Sequence, residues 1–98
     1  MGLDLLLVRV KQPKDNDRWD IDYCGDEFGW DDTRYVCRHR FLNELEFNGI
    51  STDEGYFYRP KSFSDARKFA LTTDAPEYIN KMLDILEQNN DLYFEINR

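Results

Sequence analysis

Ninety-eight residues suffice for one domain with its own core and are too few for two. Hydrophobic residues at 41% and aromatics at 15% exclude a disordered chain. Twenty acidic against 13 basic residues give a formal net charge of −7, which repels nucleic-acid phosphate and anionic lipid and suits a basic protein partner.

The run from Gly2 to Val10 is apolar except for Asp4 and Arg9, with β-branched Val8 and Val10 at its end. A short apolar run of this kind is a strand buried on both faces, or nearly so. Gly2 offers no N-cap and Pro13 follows closely, which argues against a helix. So apolar a strand needs a partner and a cover, and the natural partner is the other end of the chain, Leu92 to Ile96. The run is too short to span a bilayer, and, lacking a positively charged segment before it, it is not expected to be a secretory signal. The expectation is a cytoplasmic protein whose two cysteines, Cys24 and Cys37, are reduced.

Residues 11–18 are a polar loop built on Pro13 and an Asp/Asn cluster. From Trp19 to Cys24, Trp19, Ile21 and Tyr23 alternate with Asp20 and Asp22, the pattern of a half-buried strand with its aspartates toward water. Gly25 and Gly29 bracket an acidic-aromatic turn. Asp31 or Asp32 caps a predicted helix from Thr33 to Asn48, in which Cys37, Phe41 and Leu45 recur every four residues and Gly49 follows at the C′ position. Ser51 to Gly55 is a loop, and Tyr56 to Arg59 a short aromatic strand ended by Pro60.

Ser62 caps a short helix with Asp65 at the capping-box position, placing Phe63, Ala66, Phe69 and Ala70 on one side. The next helix has Asp74 as its cap and Pro76 in its first turn. There Ile79, Met82, Leu83 and Leu86 follow the i, i+3, i+4, i+7 spacing, and Asn89-Asn90 ends it. The last strand alternates Leu92, Phe94 and Ile96 with Tyr93 and Glu95. The order β-β-α-β-α-α-β implies an α+β fold: a small, mostly antiparallel sheet with paired N- and C-terminal strands and helices packed on one face.

The densest chemical feature is the stretch from Asp15 to Asp32, which holds Asp15, Asp17, Asp20, Asp22, Asp26, Glu27, Asp31 and Asp32, interleaved with Trp19, Tyr23, Phe28 and Trp30. The plainest reading is a solvated acidic loop whose aromatics cap the core. A second is a protein-binding face. Carboxylates on alternate strand residues stand about 6.5–7 Å apart, close to the phosphate repeat of a nucleic-acid strand, and exposed aromatics beside them are residues enriched at interaction hot spots. A third is a calcium loop, since Asp20, Asp22, Cys24, Gly25 and Asp31 share EF-hand offsets; Cys24, though, is a poor ligand for a hard cation.

Cys24, Cys37 and His39 match no zinc spacing. No nucleophile-base ordering or phosphate-cradling loop occurs. Arg34, Arg38, Arg40, Arg59, Lys61, Arg67 and Lys68 could gather into a patch for an anionic ligand, against ordinary pairing with the acidic excess.

The opening Met1-Gly2-Leu3-Asp4-Leu5 and the apolar run after it resemble the start of small uncharacterised bacteriophage and prophage proteins. Tyr35–Phe47 and Met82–Ile96 correspond loosely to their central helix and C-terminal helix and strand, although the Trp-Arg-Lys run of that group is missing here. The specific match covers five residues and carries over no functional residue. It implies a phage or mobile-element context, where small acidic proteins often inhibit host enzymes or defence complexes.

The reading that follows is a non-enzymatic acidic binding protein, needing no cofactor or metal. It would dock Asp20, Asp22, Asp26, Glu27 and Trp30 on a basic surface of a host protein, with no direct contact to nucleic acid or membrane. The rivals are a divalent-metal-binding or enzymatic module using the carboxylates between Asp20 and Asp32, and an accessory homo-oligomer joined through strand edges.

Overall fold

The computed structural model describes residues 2–11, 20–33, 36–37, 47–52, 55–73 and 75–97. Within them the elements run β1 (Gly2–Lys11), β2 (Asp20–Tyr23), a 3-10 turn (Gly25–Phe28), β3 (Val36–Cys37), β4 (Phe47–Thr52), β5 (Gly55–Pro60), α1 (Phe63–Ala70), α2 (Pro76–Gln88) and β6 (Leu92–Asn97). The strands form one sheet in the order β2-β1-β6-β5-β4, with β3 pairing separately to β1. Every pairing is antiparallel. The fold is α+β.

β1 is an inner strand with three partners, the longest pairing being with the chain's last strand: Asp4 lies opposite Asn97 and the register continues to Arg9 opposite Leu92. Period-two alternation sends its side chains into two clusters. Leu5 and Leu7 join Leu92 and Phe94 under the helices, while Val8 and Val10 meet Phe57, with Ile21 and Tyr93 packed beside them. Both clusters are closed to solvent: Leu7 is 1% and Val8 0% exposed. The unbroken apolar run of β1 is explained by this burial on both faces.

Both described helices pack on the Leu5–Leu7 side. Ser62 caps α1, its hydroxyl accepting from the Asp65 N–H at 3.3 Å, and Ala66 and Ala70 are fully buried. The small alanines let α1 lie close to its neighbours, while Phe63 and Phe69 pack at the margin. α2 buries Tyr78, Ile79, Met82, Leu83 and Leu86, the predicted stripe plus one ring. Its N-cap is Ala75, with Pro76 at the first helical position. Asp74, the expected cap, lies outside the described residues. At the other end Asn89 is the C-cap, and its side-chain amide donates to the Ile85 carbonyl at 2.8 Å. Arg67 ties the helices together, reaching Asp84 at 2.7 Å and Glu87 at 3.1 Å.

The segment read as a helix from Thr33 to Asn48 is different at both ends. Val36 and Cys37 are strand, opposite Leu3 and Gly2. Phe47 and Asn48 open β4, and Gly49 sits inside that strand opposite Tyr58 rather than terminating a helix. Strand pairing, of β3 with distant β1 and of β4 with the neighbouring β5, outweighs the local four-residue spacing at these positions. Asp31 does accept the Thr33 N–H at 3.0 Å, as an N-cap would, but the chain is extended by Val36. Phe41 and Leu45 lie outside the described residues. Ser51 and Thr52, read as loop, belong to β4, which turns into β5 with Thr52 opposite Gly55.

Candidate functional site

β2 is the end strand of the sheet order and carries Asp20 and Asp22, both exposed. They face the same side, opposite Lys11 and Arg9 of β1. Ile21, between them, packs on the Val8 cluster. Tyr23 extends that side but is 58% exposed, its hydroxyl donating to Glu95 at 3.1 Å. It is therefore a surface ring rather than an inward one. Trp19 lies outside the described residues.

The chain then leaves the strand through Cys24, whose N–H still donates to the Leu7 carbonyl at 3.1 Å. The 3-10 turn follows, with Asp26 and Glu27 exposed on it. Gly29 ends the turn in the left-handed conformation, φ 62°, which a residue without a side chain adopts at little cost.

Trp30 holds this acidic segment to the body. Its indole N–H donates to the Leu5 carbonyl at 2.8 Å, and its ring stacks on Tyr78 of α2, centroids 4.3 Å apart and planes 20° from parallel. The Tyr78 hydroxyl donates to the Asp31 carbonyl at 2.6 Å. Lys81 reaches the Gly29 carbonyl at 3.0 Å. The sequence reading has Trp30 as an exposed contact residue; at 5% exposure it is instead a buried anchor for the segment that carries Asp26 and Glu27. An aromatic among acids is equally compatible with both roles, and the stack with Tyr78, far along the chain, decides between them.

Two basic residues of β1 lie beside these acids, Lys11 opposite Asp20 and Arg9 opposite Asp22. The Arg9 guanidinium pairs with Glu27 at 2.9 Å and with Asp91 at 3.1 Å, and the Glu27 bond chiefly keeps it more firmly protonated than usual. Glu27 is thus partly neutralised. Asp20, Asp22 and Asp26 have no ion-pair partner among the described residues.

The calcium arrangement is not formed. Asp20 and Asp22 lie in a paired strand and Cys24 is buried, whereas an EF-hand needs these positions in a loop wrapped around the ion. No group of three or more His, Cys, Asp or Glu side chains among the described residues is placed to hold a metal. Burial pushes the Cys24 thiol pKa up, against the lowering effect of Arg9, the opposite of what a thiolate nucleophile requires. Cys37, predicted on a helix stripe, is in β3. The register puts Cys37 opposite Gly2 and Cys24 opposite Leu7, five residues apart on β1, about 17 Å at strand rise. That exceeds disulfide reach.

Among the described basic residues of the middle of the chain, Arg59 and Arg67 are engaged within the fold. Arg59 donates to the carbonyls of Asn89 and Leu92, both at 2.9 Å, and lies over the Phe63 ring. Arg67 is held between α1 and α2. Lys61 and Lys68 are exposed. Arg34, Arg38, His39 and Arg40 lie outside the described residues.

The fold defines a small α+β protein, with Asp20 and Asp22 exposed on its end strand β2 and Asp26 and Glu27 exposed on the turn that follows. No protein-family model matches the chain, and neither a curated protein nor a solved structure matches it. Among the described residues no helix is long and apolar enough to cross a membrane.

Proposed function

We propose that this chain is a small acidic binding protein, without catalysis of its own, that docks on a basic surface of another protein. The carrying observation is the set of exposed carboxylates, Asp20, Asp22 and Asp26 with Glu27 at their edge, on a strand and turn fastened from below by Trp30. Fixing the charges before contact lowers the ordering cost of binding. Complementary charge speeds encounter and rejects acidic competitors. The net charge of −7 acts in the same direction at longer range.

The phage-like opening is the ground for taking the partner from a bacterial host. The alternate-residue carboxylate spacing, near that of backbone phosphates, is the ground for taking it from nucleic-acid-handling or defence complexes. Inhibition follows in this reading from occupying the basic cleft.

The test is affinity capture from bacterial lysate at moderate salt, comparing the wild type with the combined variant Asp20→Asn, Asp22→Asn, Asp26→Asn and Glu27→Gln. The expected result is a partner retained by the wild type and lost by the variant, with unchanged circular dichroism. Equal recovery by both proteins rejects the acidic surface. Calorimetry with calcium, magnesium or manganese should give no stoichiometric heat; a tight, saturating signal would replace this reading with a metal-binding one.

A further inference from the structure

We draw no further inference here: the strongest candidate, the outer edge of β2 between Asp20 and Tyr23 as a seat for an added basic strand, belongs to the acidic surface already described, and nothing in the structure shows what covers it.

Discussion

The two long edges of β1 are satisfied in different ways. Toward β6 the pairing is continuous, from Asp4 opposite Asn97 to Arg9 opposite Leu92, and the Val10 N–H goes on to the Asp91 carbonyl at 3.0 Å. The outer edge is assembled from pieces: β3 at Gly2 and Leu3, the Trp30 indole at Leu5, the Cys24 amide at Leu7, and β2 from Val8 onward. Buried backbone groups need partners, whatever supplies them. A side chain can close the gap between two short strands, and the segment that provides it carries the exposed acids. The β6 edge holds the fold together, while the outer edge presents a surface.

Substitutions should separate these two roles. The largest effect belongs to the β6 side: Phe94, 1% exposed, changed to Ala should cost about 3–5 kcal/mol through lost burial and the cavity left behind, read as a fall in the urea midpoint. A loss under about 1 kcal/mol would mean that this side of β1 is not the main support.

On the outer edge, Trp30→Phe keeps a ring against Tyr78 but strands the Leu5 carbonyl. We expect a cost of about 1–3 kcal/mol in the same urea titration, and a rise in amide hydrogen exchange confined to residues 24–33. Exchange that rises equally in β6 would show that the two edges are not independent. Gly29→Ala has open space around the added methyl, so its cost is conformational, about 1–2 kcal/mol for a left-handed residue with a side chain. A neutral result would place the Gly29 backbone elsewhere in solution.

The smallest effect is one of pH. Burial keeps the Cys24 thiol protonated in the native state to higher pH than in the unfolded chain. Its contribution is therefore whole below the ordinary thiol value and is lost as pH climbs from there toward the raised native value, because the unfolded state releases its proton first. Stability measured at pH 7 and pH 10 should fall more for the wild type than for Cys24→Ala. Parallel falls would remove Cys24 as a source of the alkaline slope.

Much of the β6 side was legible in the sequence, and the outer edge was less so. The apolar run of β1, the alternation of β6 and the Ile79-Met82-Leu83-Leu86 spacing of α2 each reflect a single burial requirement written into neighbouring residues. β3 and the first two residues of β4 were hidden in a predicted helix, and Ser51 and Thr52 in a predicted loop, because Cys37, Phe41 and Leu45 recur at helical spacing while the strands are specified by partners in β1 and β5. For the candidate site, the positions of Asp20, Asp22, Asp26 and Glu27 on exposed backbone followed from alternation and turn chemistry. The burial of Trp30 did not, since it depends on Leu5 and Tyr78. The engagement of Glu27 by Arg9 was likewise unreadable, although an arginine interrupting an apolar strand was a hint that a carboxylate would be brought to it.

Because Asp4 lies opposite Asn97, β1 starts and β6 finishes side by side, on two inner strands of the sheet. A few added residues there would close the polypeptide into a ring without disturbing any strand neighbour. New ends could then be cut in the connection between α1 and α2, where residues 71–73 are surface turn. Such a circular permutant would keep the same sheet order under a different chain order, so the architecture depends on who lies beside whom and not on the path taken between them.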